Sequence, residues 1–154
     1  MIQKILSRIE ELKDDYVKFL CDIAKIESPT SYKEGVDRVG AYVIEKAKAR
    51  GWQIEIHREA VAGDAVCITM NPEAKGAPVC LSAHMDTVHP IGSIEKMPVH
   101  IKNGRLYGPG VYDCKGGIAS SFLAMAALED CGFRNAAMEA VIAAYRRTLE
   151  LGKK

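Results

Sequence analysis

Apolar residues recur at intervals of three and four along the first fifty residues, which is the spacing of one face of an α-helix. Residues 2–26 therefore form a predicted amphipathic helix, and residues 33–50 form a second one that ends at Gly51. Apolar and polar residues then alternate over 52–57, which predicts a half-buried strand. The apolar positions of the two helices include Ile5, Ile9, Leu12, Val36, Val39 and Val43.

The apolar runs that follow are short and are separated by turn residues. The run over 65–70 is closed by Asn71 and Pro72. A run over 79–83 is long enough for a buried strand, and its carboxyl end delivers His84. Asn103-Gly104 lies between two short apolar segments and is the strongest hairpin signal of the chain.

Two more helices are predicted in the last third of the chain. Residues 116–130 are rich in Ala, Leu, Met and Phe, so this helix is predicted to be largely buried, and Gly132 ends it. Another helix follows from Asn135, a suitable N-cap, to Tyr145. This order of helices and strands predicts an α/β fold, with helices packed on a mixed, largely parallel sheet.

Composition limits the classes of function. The 154 residues include 21 basic and 20 acidic ones, so no global field attracts nucleic acid or a membrane surface. The five cysteines lack a C-x-x-C spacing, which predicts reduced thiols in a cytoplasmic protein. Most of them are expected to be small core residues, and Cys114 is the exception because it lies in a glycine-rich turn.

An imidazole and a carboxylate stand two residues apart at the end of the predicted buried strand. Side chains with this spacing point the same way on an extended segment, so His84 and Asp86 can face one site. A neutral imidazole is a good zinc ligand, and a neighbouring carboxylate can fix its tautomer. On these residues alone, a solvated loop histidine remains the alternative, and His57, His89 and His100 are predicted surface residues.

A second carboxylate lies inside a glycine-rich turn that opens the helix over 116–130. The glycines around Asp113 permit backbone conformations closed to other residues, and a helix amino terminus favours anions. A tight turn with Asp113 as an N-cap is the alternative. A phosphate-binding loop is disfavoured, because Asp113 would bring negative charge to the phosphate.

The two segments in this order are more specific than either alone. Residues 84–88 read HMDTV and residues 106–117 read LYGPGVYDCKGG, and the amino-terminal segment 26–30 reads IESPT. Together they resemble the co-catalytic zinc peptidases and amidohydrolases, a family that includes carboxypeptidase G, acetylornithine deacetylase and succinyl-diaminopimelate desuccinylase. The resemblance implies part of a zinc-exopeptidase-like catalytic domain over residues 1–133, followed by a divergent helical tail over 134–154.

The resemblance also implies roles for the residues that match. His84 would ligate one zinc ion, Asp113 would bridge two, and Asp86, the one predicted catalytic residue, would orient the metal-bound imidazole. The peptide bond from Asp113 to Cys114 would be cis. The implied cofactor is a pair of zinc ions, for which cobalt is a substitute, and the implied substrate is a short peptide or an N-acyl amino acid.

Complete family members continue beyond this region with a Glu-Glu pair, further metal ligands and a separate lid and dimerisation domain. The last twenty residues of this chain contain no paired glutamates. Because a catalytic zinc normally has three protein ligands, we expect a truncated metallopeptidase or amidohydrolase relative with little or no hydrolysis by itself. The alternative is a catalytically inactive remnant that binds metal weakly or self-associates as a homo-oligomer.

Overall fold

A computed structural model describes residues 2–75 and 78–132 of the chain. The predicted helical tail, including the helix from Asn135, lies outside these residues. Two long helices come first, then an antiparallel hairpin, a short helix, a second hairpin and a third long helix. In chain order these elements are α1 (Ile2–Ala24), α2 (Lys33–Ala49), β1 (Gln53–His57), β2 (Ala65–Thr69), α3 (Ser93–Lys96), β3 (His100–Lys102), β4 (Arg105–Tyr107) and α4 (Gly116–Asp130).

The hydrophobic core lies between α1, α2 and α4. Phe19 of α1 is 3% exposed and packs edge-on against Phe122 of α4, with ring centroids 5.2 Å apart. The ring of Trp52, which precedes β1, lies 5.4 Å from that of Phe122. Each large apolar side chain buried in this way contributes about 1.5–3 kcal/mol relative to an exposed position. The core therefore fixes α4, whose amino terminus adjoins the predicted site.

The elements predicted from local signals are confirmed. The three long helices lie within two residues of their predicted bounds. In the second hairpin, β3 pairs with β4 in antiparallel register, and the two turn residues Asn103 and Gly104 have φ of 52° and 71°. Both values are left-handed, as the tight turn of a two-residue hairpin requires.

The predicted sheet differs from the observed one. Both sheets of the described residues are two-stranded and antiparallel, and their only parallel pairing is an isolated bridge between Pro29 and Thr87. Segment 79–83, predicted as a buried strand, is irregular, and Val79 and Leu81 are 89% and 54% exposed. A strand requires a neighbour to pair its backbone groups, and none of the described residues forms such a ladder with this segment. The prediction of a largely parallel sheet is therefore not met in this part of the chain.

No helix within the described ranges is long and apolar enough to cross a membrane.

A buried carboxylate fixes the loop that joins β1 to β2. Asp64 is 6% exposed, and its carboxylate accepts hydrogen bonds from Lys33 Nζ at 2.6 Å and from Arg58 at 2.5 Å. The backbone N–H of Glu59 donates to the same carboxylate at 3.1 Å. Together these donors lower the pKa of Asp64 to about 2, and the Lys33 ammonium makes the largest contribution.

Replacing Asp64 with asparagine is expected to remove part of the pH dependence of stability. The pKa of Asp64 is lower in the folded chain than its ordinary value of 3.8, so its stabilising contribution is present above about pH 4 and is lost as the pH falls towards 2. Urea unfolding at pH 6, 4, 3 and 2 should show the largest difference between the parent and Asp64→Asn at pH 6. The difference should narrow as the pH falls; a constant difference would contradict the assignment.

Candidate metal-binding site

The structure places the His84 imidazole between two carboxylates. His84 Nδ1 lies 3.0 Å from the backbone carbonyl oxygen of Asp86 and 3.1 Å from its Oδ1. On the other side of the ring, His84 Nε2 lies 2.8 Å from Asp113 Oδ1. The three predicted site residues are therefore brought together, although 29 residues separate His84 from Asp113 in the chain.

This arrangement favours the protonated form of the His84 ring. Both oxygens near Nδ1 are acceptors only, so Nδ1 carries a proton and donates it to Asp86. Nε2 lies at hydrogen-bond distance from Asp113 Oδ1, so in the protonated ring it donates to this oxygen. The hydrogen bond to Asp113 is the main cause of the raised pKa of His84. The backbone carbonyl and the carboxylate of Asp86 raise this pKa further. A divalent cation that replaced the Nε2 proton would keep the Nδ1 hydrogen bond in place.

Residues 26–30 hold the segment that carries His84 and Asp86. The N–H of Thr87 donates to the carbonyl of Ser28 at 2.8 Å, and the N–H of Thr30 donates to the carbonyl of Thr87 at 3.2 Å. The fully buried Ser28 hydroxyl donates to the Met85 carbonyl at 2.9 Å. These bonds fix residues 85–87, although none of the described residues forms a ladder with the segment upstream of them.

A side-chain bond from the same segment reaches Asp86. Thr30 Oγ1 donates to Asp86 Oδ2 at 2.5 Å, and this bond is the main cause of the lowered pKa of Asp86. Because Oδ1 of the same carboxylate accepts from His84, Thr30 keeps Asp86 ionised and fixes its orientation behind the imidazole. The role of Thr30 was not predicted, since its contact with Asp86 spans 56 residues of chain.

Replacing Thr30 with valine is expected to weaken zinc binding by roughly 10- to 100-fold, the usual cost of losing a group that orients a metal ligand. Valine keeps the side-chain volume and removes the hydroxyl donor. Calorimetric zinc titration of chelator-stripped protein measures the change. Thr30→Ser keeps the donor and should retain most of the affinity, whereas equal losses in both variants would refute the orienting role.

The glycine-rich turn brings Asp113 to the imidazole. Gly110 has a φ of +69°, and a Cβ atom at this position would lie 2.5 Å from Thr87 Cγ2. Only glycine therefore allows the turn to pack so closely against the segment that carries His84. The backbone N–H of Lys115 closes the turn by donating to the Gly110 carbonyl at 2.9 Å, and the peptide bond from Asp113 to Cys114 is cis.

Lys115 joins the turn to residues 26–30 from inside the protein. Its side chain is 1% exposed, and its ammonium donates to the carbonyl of Ile26 at 2.6 Å. Burial lowers the pKa of Lys115 to about 8. This role of Lys115 was not predicted from the sequence. The available signal was a cation immediately before the amino terminus of α4, where the helix dipole disfavours positive charge.

The donor set suits a borderline-soft divalent cation. In the described ranges, the only group of three or more potential metal ligands consists of His84, Asp113 and Cys114, with one ligand atom of each within 4.8 Å of the others. Imidazole nitrogen, carboxylate oxygen and thiolate sulfur are the three ligand types that zinc accepts in proteins. His84 and Asp113 are 49% and 79% exposed, so an ion can reach them from solvent.

Two cavities adjoin the imidazole. The smaller one, of about 200 Å³, lies between residues 84–89 and residues 108–113. The larger one, of about 440 Å³, is mostly apolar and lies between β2, α4 and residues 81–86. Both have His84 and Asp86 in their walls, so a small molecule at the site could place one group beside the carboxylates and another in an apolar space.

The other histidines do not belong to the group of potential ligands formed by His84, Asp113 and Cys114. His57 is 59% exposed beside Glu55 on β1, and His100 is exposed and stacks on Tyr107 with ring centroids 5.1 Å apart. His89 is partly buried and lines the smaller cavity. The surface prediction therefore holds for two of the three.

Comparisons with known proteins identify relatives of this chain. Residues 80–144 match the family described as Peptidase family M20/M25/M40. Carboxypeptidase G2 of Pseudomonas sp. (strain RS-16) is 30% identical over 121 residues, which cover 77% of this chain and 29% of that protein. A Pyrococcus furiosus protein named as a LysW-lysine/LysW-ornithine hydrolase is 34% identical over 111 residues, which cover 72% of this chain and 30% of that protein.

A shorter match carries a different name. A Synechocystis protein named as pyrroline-5-carboxylate reductase is 37% identical over 83 residues, which cover 54% of this chain and 28% of that protein. The matched region thus spans less than a third of the length of each of these three relatives.

Proposed function

We propose that this chain, which is related to Peptidase family M20/M25/M40 through its amino-terminal part, supplies the zinc-binding side chains for hydrolysis of an amide or peptide bond. The observation that carries the proposal is the 2.8 Å approach of His84 Nε2 to Asp113 Oδ1, with Asp86 on the opposite ring nitrogen. A cation between these two atoms would have an imidazole and a carboxylate as ligands and a carboxylate behind the imidazole.

His84 and Asp113 would hold the zinc, either as a single ion or as one of a pair. Bound zinc supplies Lewis acidity, which polarises a substrate carbonyl and lowers the pKa of a water molecule. Because Asp86 accepts a hydrogen bond from Nδ1 of His84, Nε2 is the ring nitrogen that would present its lone pair to the ion. The smaller cavity beside Asp113 would receive the scissile bond, and the larger apolar cavity would receive a substrate side chain.

The substrate class proposed here is a short peptide or an N-acyl amino acid. The names of two relatives support it, since one is a carboxypeptidase and the other is named as a hydrolase of LysW-lysine and LysW-ornithine. Carboxyl-terminal dipeptides and Nα-acyl lysine or ornithine derivatives are therefore the first substrates to test.

The rate expected of this polypeptide by itself is low. Within residues 2–75 and 78–132, no glutamate joins the cluster of His84, Asp113 and Cys114. A positioned general base contributes roughly 100- to 10,000-fold to such reactions. We therefore propose that the chain binds the metal and substrate, and that rapid turnover requires a carboxylate from outside the described residues.

A turnover assay tests this proposal. Chelator-stripped protein is loaded with zinc or cobalt and incubated with the acyl amino acids and dipeptides named above, and the released amine is quantified. Metal-dependent release that is abolished in His84→Ala and retained in His57→Ala would support the proposal. The absence of metal binding by calorimetry would refute it, and metal binding without any release would limit the chain to the binding step.

Self-association is a second candidate function, favoured by the exposed apolar residues of segment 78–83. Val79 and Leu81 lie on an irregular segment whose backbone forms no ladder with the described residues, and such a segment can pair with a second copy. Sedimentation of the parent chain should then show an oligomer that Leu81→Lys reduces to a monomer. A monomeric parent chain at all accessible concentrations would exclude this candidate.

A further inference from the structure

We propose that the Cys114 thiolate is a third protein ligand of the metal ion held by His84 and Asp113. The proposal rests on the proposed function, because it needs a metal ion between the imidazole and the carboxylate. It changes the composition of the site from nitrogen and oxygen donors to nitrogen, oxygen and sulfur. It also gives a single zinc ion three protein ligands and leaves one position for water or substrate, which is the usual arrangement of a catalytic zinc.

The distances allow this assignment. One ligand atom from each of the three side chains lies within 4.8 Å of the other two. Around a tetrahedral zinc with ordinary bond lengths, such atoms stand about 3.4–3.6 Å apart. The imidazole and carboxylate would therefore move apart by about half an ångström, and the sulfur would need to approach by at most about an ångström. Rotations of these side chains about their staggered positions cover such shifts.

The sulfur of Cys114 lies against the first turn of α4. Cys114 is partly exposed, and its Sγ lies near Gly117, where a Cβ atom would stand only 3.2 Å from it. A larger residue at 117 would therefore press on the sulfur.

The other candidate for a third ligand is Asp86, but its carboxylate has other partners. Its Oδ1 accepts from His84 Nδ1, and its Oδ2 accepts from Thr30 Oγ1. It therefore lies on the side of the imidazole opposite Asp113. Cys114 directly follows Asp113 in the chain, and its sulfur lies within 4.8 Å of a ligand atom of His84 and of Asp113, so it can reach the same ion without displacing either partner of Asp86.

Absorption spectroscopy with cobalt tests the assignment directly. Thiol-reduced, chelator-stripped protein is titrated with Co²⁺, and the spectrum reports two independent features. Visible ligand-field bands show that cobalt is bound, and a strong near-ultraviolet charge-transfer band shows a sulfur ligand. We expect both features in the parent chain and only the ligand-field bands in Cys114→Ser. Zinc affinity in Cys114→Ser should fall by at least roughly 10-fold, the lower cost found for groups that act on a ligand indirectly.

The outcomes separate the two proposals. Cobalt binding without a charge-transfer band in the parent chain would overturn the sulfur assignment and leave the proposed function standing. No cobalt binding in the parent chain would overturn both. Cys67 and Cys80 are exposed, so Cys67→Ser and Cys80→Ser serve as matched controls, and loss of the band in either would place the sulfur ligand elsewhere. The spectrum of the parent chain can refute the sulfur assignment by itself, so the test does not depend on whether the variants fold.

Discussion

Replacing His84 with alanine is expected to lower zinc affinity by more than about 100-fold, the upper cost for losing a group that only orients a ligand. The imidazole is the group that faces both Asp113 and Asp86, so its removal leaves Asp113 without the neighbouring donor that completes the site. Calorimetric titration of chelator-stripped protein with zinc measures the loss, with circular dichroism to confirm that the variant is folded. His84 is half exposed, so its truncation should leave the core intact.

The control for this experiment is His57→Ala. His57 is exposed on β1, and its imidazole lies 3.4 Å from Glu55 and outside the metal-binding cluster. This variant should bind zinc as tightly as the parent chain. If His84→Ala retained parental affinity, the cation would have to bind elsewhere, and both the proposed function and the sulfur assignment would be wrong.

The elements that the sequence predicts correctly are those set by local signals. Periodic apolar residues identify α1, α2 and α4, and Asn103-Gly104 identifies the hairpin of β3 and β4, because these signals act over a few residues. The prediction for segment 79–83 depends on a partner strand, which an apolar run cannot reveal. The parallel sheet inferred from that run is therefore the part of the fold that the structure does not confirm.

The same distinction applies to the site. The resemblance names His84, Asp86 and Asp113, and the structure brings these residues together. The hydrogen bonds that hold these residues in place were not predicted. Thr30 donates to Asp86 across 56 residues of chain, and Lys115 donates to the Ile26 carbonyl across 89. Contacts of this kind arise only when the chain has folded, and a pattern read along one sequence contains no signal for them.

The hydrogen bonds of residues 26–30 and of Lys115 link the site to the core through α1. Helix α1 ends at Ala24, and residues 26–30, which contact the segment from Met85 to Thr87, follow directly. Lys115, immediately before α4, donates to this same connection. A substitution that weakens the packing of α1 on α4 should therefore also weaken metal binding, even when the substituted residue lies far from His84.

Replacing Phe19 with alanine is expected to destabilise the fold by about 3–5 kcal/mol, the usual cost of removing a buried aromatic ring. Phe19 is 3% exposed, and its ring stacks on Tyr42 with centroids 5.5 Å apart while also meeting Phe122 edge-on. A domain of this size is stable by only about 5–15 kcal/mol, so the loss is a large share of the total. Urea unfolding followed by circular dichroism measures it.

The matched control is Leu6→Ala, a truncation on the exposed face of the same helix. Leu6 is 51% exposed, so the change in the free energy of unfolding should be within about 0.5 kcal/mol. Because α1 leads into residues 26–30, Phe19→Ala should also weaken zinc binding under conditions in which part of the protein is unfolded, and Leu6→Ala should not. If Phe19→Ala unfolded at the parental urea midpoint, the packing of α1 on α4 would not be what holds the site together.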